Sequence, residues 1–235
     1  MRKVKSHLGV PVFIAIISAL LFSSDHSFSQ QIDLVTSVTS VEAPNWVQGD
    51  VFVGVSTGSY QVYSNSGDLK ETISDGLGGF TAGCAFNPTL DKLYTTDFSF
   101  TRVVVYDNAP PHPILQTINT EHSDGGCSES VVFDAAGNFY VGDDCDEDIP
   151  KYNAAGVLQQ KFEPAIEARG SDWIDLAADQ CTLLYTSAGT TIKRFDVCTN
   201  TQLADFATGL PGAAFALRIL ANGEGGTGQS CRKVR

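Results

Sequence analysis

Three independent sets of positions recur along this chain with one period. Strands that end in an aromatic before a short polar residue give Tyr63, Tyr106, Tyr152 and Phe195, at intervals of 43, 46 and 43 residues. The strand before each gives Phe52, Tyr94, Tyr140 and Tyr185, at intervals of 42, 46 and 45. A still earlier strand gives Phe86, Phe133, Leu176 and Ile219, at intervals of 47, 43 and 43. A chain with this pattern is built from copies of one supersecondary unit, and that restricts it to repeat architectures.

The runs that carry the markers are short, β-branched and aromatic, and are bounded by turn residues. Asn65-Ser66-Gly67-Asp68, Asp134-Ala135-Ala136-Gly137-Asn138 and Asn153-Ala154-Ala155-Gly156 each place a Gly where a turn needs positive φ. The 22 Gly and single Met fit strands and turns rather than helices. The class is therefore all-β. A period of 40 to 50 residues with four strands per unit specifies a β-propeller of four-stranded blades. One four-stranded sheet cannot bury both faces alone, whereas sheets packed side by side do. A β-sandwich or solenoid is the alternative. The pattern over residues 51–222 gives strands two to four of one blade, three whole blades, and a further first strand at Ala214–Ala221. That is four to five blades. Two arrangements fit: a piece of a ring of six or more blades, or a closed four-bladed ring whose last strand docks innermost in the first blade. The Gly-rich tail, residues 223–235, favours the piece. Such an open ring would expose an apolar blade edge for self-association.

Residues 1–29 read as a signal peptide: Arg2, Lys3 and Lys5, then 13 mostly apolar residues from Val10 to Phe22, then Ser27-Phe28-Ser29. Residues 30–50 are a linker or a leading strand. Three of the 15 basic and one of the 27 acidic side chains lie in residues 1–30, so the exported part carries 12 against 26. Such a surface repels nucleic acid and anionic lipid. The expected location is secreted or periplasmic, and the expected partner is a protein or a small-molecule ligand.

All six cysteines lie beyond the signal segment. Residues equidistant from a hairpin turn lie opposite each other. By that rule Cys181 pairs with Cys198 and Cys127 with Cys145. Cys84 and Cys231 have no symmetric partner; they are free or pair with each other. No Cys-x-x-Cys or Cys/His cluster offers a zinc site.

Asp97-Phe-Ser-Phe-Thr-Arg102-Val-Val-Val-Tyr106-Asp107 resembles an NHL repeat, in which Asp precedes an Arg-Val strand ending in an aromatic. Ile149 to Phe162 resembles that repeat's second half, and Gly170–Asp179 and Ala214–Gly223 are similar to its opening strand. The resemblance extends to the gluconolactonase/senescence-marker-like and streptogramin-lyase-like propellers. Phe100 stands where the repeat usually has Asn. The resemblance implies a ligand- or protein-binding module or, alternatively, a divalent-metal-dependent lactone hydrolase or related lyase. Lactonase-like relatives hold their metal with a Glu and Asn or Asp residues around the channel; Glu129, Asp97, Asp143 and Asp172 stand at loop ends suited to this. Lyase-like relatives use a channel His, and only His112 and His122 follow the signal segment.

Propeller ligands bind at one end of the channel, where the loops joining strands two and three and those joining blades lie together. These include Asp75–Gly79, Glu121–Gly126, Asp143–Asp148 and Arg169–Trp173. Asp143, Asp144, Asp146 and Asp148 offer hard oxygen ligands for Ca²⁺ or another divalent ion; a solvated acidic loop is the alternative. Glu121, His122, Asp124, Asp172 and Trp173 form the remainder of the expected binding face, Trp173 as a sugar or peptide platform or as a core residue. No serine-nucleophile elbow, phosphate loop or His-Glu-x-x-His motif occurs.

Overall fold

The computed structural model describes residues 42–120 and 126–220, all within the unit Val41–Arg235. Among these residues there are fifteen strands and no helix. The first sheet holds β1 (Val51–Val55), β2 (Ser59–Tyr63) and β3 (Leu69–Ser74). The second holds β4 (Thr81–Phe86), β5 (Lys92–Asp97), β6 (Arg102–Asp107) and β7 (Ile114–Asn119). The third holds β8 (Ser128–Phe133), β9 (Phe139–Asp143), β10 (Ile149–Tyr152) and β11 (Leu158–Phe162). The fourth holds β12 (Ile174–Leu176), β13 (Thr182–Tyr185), β14 (Lys193–Asp196) and β15 (Thr201–Gln202). Each sheet is an antiparallel meander of consecutive strands, so the fold is all-β with four blade-like sheets.

The turns follow from their sequences. In Asp134–Asn138, Asp134 Oδ1 accepts the backbone N–H groups of Ala136 and Asn138, at 3.0 and 2.9 Å. Asn153 Oδ1 does the same for Ala155 and Val157, at 3.0 Å each. A side chain that satisfies backbone donors within the turn fixes the hairpin register.

The aromatic markers fill the spaces between sheets. Phe52, Tyr60, Val62, Leu93 and Tyr106 join the first sheet to the second. Tyr94, Val105, Val131, Phe139 and Tyr152 join the second to the third. Tyr140, Ile149, Leu183, Tyr185 and Phe195 join the third to the fourth. Sheets adjacent in sequence thus bury their facing sides against each other. Among the described residues no fourth apolar cluster joins the last sheet to the first.

The two ends of the described chain are held by side chains. Residues 42–50 form no strand, yet Trp46 is buried in the first cluster. Its ring stacks on His112, 3.8 Å between centroids and 5° between planes, and its indole N–H donates to Glu71. Ala214–Leu220, expected as a further first strand, is not one, and the described residues hold four sheets, within the expected four to five. Its apolar pattern is suited to β structure, but a strand needs a ladder, and this segment is anchored by side chains. Ile219 N–H donates to Asp175 Oδ2 at 2.8 Å, and Arg218 pairs with Asp175 at 3.2 Å.

Cys127–Cys145 and Cys181–Cys198 are disulfides with Cα separations of 5.3 and 5.2 Å. Both fit an oxidising, non-cytosolic compartment. Cys84 is also disulfide-bonded, which removes the free-thiol alternative, and its partner is not among the described residues.

Candidate functional site

Three carboxylates from three separate segments converge. Glu129, Asp144 and Asp172 are all buried, and one oxygen of each lies within 4.8 Å of the others. Each is placed by a local feature of the fold. The register between β8 and β9 shifts between Ser128 and Ser130, which puts Glu129 at a bulge. Bulges re-aim side chains and are frequent beside functional sites. Asp144 directly follows β9; its N–H donates to Cys127 O at 3.2 Å, and its carbonyl accepts from Gly170 N. Asp172 lies two residues ahead of β12, and Ser130 Oγ donates to its carbonyl at 3.0 Å.

Two glycines permit this convergence. A Cβ on Gly170 would lie 2.1 Å from Asp146 O and 2.2 Å from Asp143 O. A Cβ on Gly142 would lie 2.7 and 2.8 Å from the carbonyls of Ser171 and Asp172. Backbone atoms cannot yield to such contacts. The connection 163–173 therefore nests on the loop 144–148 only because these positions lack side chains. Two of the four expected binding loops thus touch directly.

The acidic run is mostly buried, not solvated, and only one of its members joins the convergent group. Asp143 Oδ1 accepts the N–H groups of Cys145 and Asp146 at 2.8 Å each and so shapes the loop. Asp148 pairs with Lys161 at 3.2 Å. Asp146 is buried and Glu147 exposed. Asp144 is the member that meets Glu129 and Asp172, and Arg169 pairs with it at 2.8 Å. Asp97, at the end of β5, is engaged by Arg102 at 2.8 Å. Trp173 is only 4 % exposed, so its ring is a core element and offers no platform. Glu121, His122 and Asp124 lie outside the described residues. His112 is buried under Trp46, with Nε2 2.8 Å from Pro44 O.

Glu129 and Asp172 had a sequence signal: they are 43 residues apart, one repeat period. Each stands four residues ahead of the marker of its first strand, Phe133 or Leu176. The same offset gives Ala82 in the second sheet and Phe215 beyond the fourth.

Burial pushes the Asp143 carboxyl up to about 7, against the pull of the N–H groups it accepts. A carboxyl raised in the folded state binds protons more readily there than in the unfolded chain. Its ionised form therefore costs stability above the folded value, and protonation relieves that cost as pH falls from about 7 towards the unfolded value of 3.8. Melting in chelator is expected to rise between pH 8 and pH 5. Asp143→Asn, which keeps the Oδ1 acceptor, is expected to flatten that slope; an unchanged slope would assign it to other groups.

The three carboxylates fit a hard divalent ion. Ca²⁺ ligands lie at roughly 2.3–2.6 Å from the ion, so two of its ligands can stand as far apart as these oxygens do. The donor set is oxygen only, which suits Ca²⁺, Mg²⁺ or Mn²⁺ over softer metals. A second grouping, Cys181, Asp196 and Cys198, has both sulfurs committed to a disulfide. No protein-family model and no curated protein matches the chain.

Proposed function

We propose that this chain is an exported NHL-like β-propeller that works as a binding module, with its ligand-binding end at Glu129, Asp144 and Asp172. The observation that carries the reading is the convergence of three buried carboxylates from separate segments. Grouping like charges costs free energy unless a cation offsets it. In the cation-free chain Arg169 supplies part of that compensation to Asp144. A divalent cation would take its place and present open coordination positions to a ligand's oxygens. The export signal, the disulfides and the acidic composition accord with a protein that works where Ca²⁺ is abundant.

Calorimetric titration of the oxidised chain with Ca²⁺ and Mg²⁺ tests the reading. One saturable site is expected for wild type, with affinity at least about tenfold weaker in Asp172→Asn, because ligand charge sets affinity in such sites. At a hundredfold excess over Kd, the ion is expected to stabilise wild type by about 2.7 kcal/mol. The melting order should also cross: Asp172→Asn above wild type in chelator, where repulsion is relieved, and below it in saturating Ca²⁺. Absence of ion binding by folded protein would exclude the reading.

A second reading is a metal-dependent lactone hydrolase, favoured by one observation. One Glu and two Asp form the kind of donor set that the gluconolactonase-like resemblance implies. A bound divalent ion supplies Lewis acidity towards a lactone carbonyl. Turnover of a lactone panel, abolished by EDTA and restored by Ca²⁺ or Mg²⁺, supports it; inactivity of the ion-loaded protein leaves the binding module alone.

A further inference from the structure

Arg169 is the basic side chain at the carboxylate group, and the fold uses only part of it. Its guanidinium pairs with Asp144 at 2.8 Å, the arginine side chain 48 % exposed and the aspartate 6 %. The acid of this pair is thus inside and the base faces solvent. A guanidinium carries five N–H donors in a fixed fork. The one ion pair that this guanidinium makes among the described residues is with Asp144. Most of its donors therefore remain open to a further partner.

The backbone beneath this side chain is fixed. Arg169 N–H donates to Ser187 O at 3.2 Å, and its carbonyl accepts from Ser187 Oγ. The next residue, Gly170, is wedged against the carbonyls of Asp143 and Asp146. The arm can therefore let go of Asp144 without leaving the site. Its guanidinium also lies 5.9 Å over the ring of Phe215, which offers a cation a resting place after release. Phe215 stands at the repeat offset that holds Glu129 and Asp172 in the two preceding units. A divalent ion forces the exchange. Three carboxylates against one guanidinium leave two negative charges, which the ion offsets, and ion and guanidinium compete for Asp144. The partner that the arm gives up is a carboxylate, the group its planar fork matches best.

We infer that Arg169 couples ion binding to recognition of a carboxylate-bearing ligand. It stands in for the ion at Asp144, is released when the ion binds, and then grips a carboxylate whose ligand also supplies oxygens to the ion. The chemistry recognised is the carboxylate itself, carried by an acidic peptide or by a uronate sugar. The inference rests on the ion-binding reading of Glu129, Asp144 and Asp172. It adds to that reading the class of ligand and the residue that selects it.

Two successive calorimetric titrations of the oxidised chain test it. The first adds Ca²⁺ alone to wild type and to Arg169→Gln, which removes the charge at similar length. The variant is expected to bind Ca²⁺ about threefold or more tightly, because the internal competitor is gone. The second adds acidic probes to the Ca²⁺-loaded proteins: acetyl-Gly-Asp-Gly amide and trigalacturonate, each against its neutral counterpart, the Asn peptide and the methyl ester. Wild type should bind at least one acidic probe about tenfold more tightly than its counterpart, and the probe that binds assigns the source. That preference should vanish in EDTA and in Arg169→Gln. If Arg169→Gln does not fold, Arg169→Lys serves: it keeps the charge but not the fork, and should retain most of the competition with Ca²⁺ while losing most of the acid preference. Unchanged or weaker Ca²⁺ binding by Arg169→Gln would overturn the inference. So would binding of neither acidic probe, equal binding of acidic and neutral probes, or an acid preference that survives Arg169→Gln. Failure of wild type to bind Ca²⁺ in the first titration would remove the ion-binding reading itself, and is seen before any probe is added.

Discussion

Tyr60→Ala is expected to destabilise the fold by about 4 kcal/mol, the usual cost of removing a large buried ring. Tyr60 is 2 % exposed at the centre of the cluster between the first two sheets. Its hydroxyl lies 2.8 Å from Gly83 O and 2.9 Å from Thr96 O, both on the second sheet. Burial pushes that hydroxyl's pKa up, so it remains a donor throughout the accessible pH range. Against a total stability of about 5–15 kcal/mol the loss is severe, and melting should fall by roughly 10 °C. Tyr60→Phe separates packing from hydrogen bonding. Thr96 Oγ1 also donates to Gly83 O, at 3.0 Å, so the group left in need is mainly Thr96 O. The expected cost is about 1–2 kcal/mol. Urea melts followed by circular dichroism would read both; near-equal losses would mean that the ring contributes little.

Removal of either hairpin disulfide is expected to cost about 3 kcal/mol, since each closes a loop of similar length, with separations of 18 and 17 residues. The two should differ in what else they change. Cys127 accepts the Asp144 N–H through its carbonyl, and Cys145 donates its N–H to Asp143. Loss of the Cys127–Cys145 bond therefore loosens the loop that carries Asp144. Cys127→Ala/Cys145→Ala is expected to weaken Ca²⁺ binding as well as stability. Cys181→Ala/Cys198→Ala lies away from the carboxylates and should lower stability with unchanged affinity. Equal effects on affinity would mean that the loop is held by Gly170 and Arg169 rather than by the sulfur bridge.

The sheets were legible because their markers are local: an aromatic at a fixed step, then a turn whose Asp or Asn binds its own backbone. The hairpin disulfides were legible for the same reason, since symmetry about a turn is a property of one segment. The burial of the acidic run was not. Charge composition suggests solvation, and only the approach of Gly170, with ion pairs from Arg169 and Lys161, shows how those side chains are tolerated inside. The stacking of His112 on Trp46 was hidden because its two halves are far apart in sequence and one lies in a Pro-rich loop. Ala214–Leu220 shows the converse. Its nearly continuous apolar run suits a buried strand, but whether such a stretch becomes one depends on a neighbour that its own residues do not encode.

The position four residues ahead of Phe86, Phe133, Leu176 and Ile219 holds Ala82, Glu129, Asp172 and Phe215. The apolar clusters between sheets draw on other positions, although Ala82, Glu129 and Asp172 are buried as well. A repeated scaffold with one such position per unit sets interlocked packing apart from local chemistry. Drift in the packing positions is constrained by every neighbour, whereas a position outside the apolar clusters can change one unit at a time. Proteins built on this frame can therefore diverge in what they bind while their architecture stays constant, and two of them can share a fold with no detectable likeness in the residues that give each its purpose.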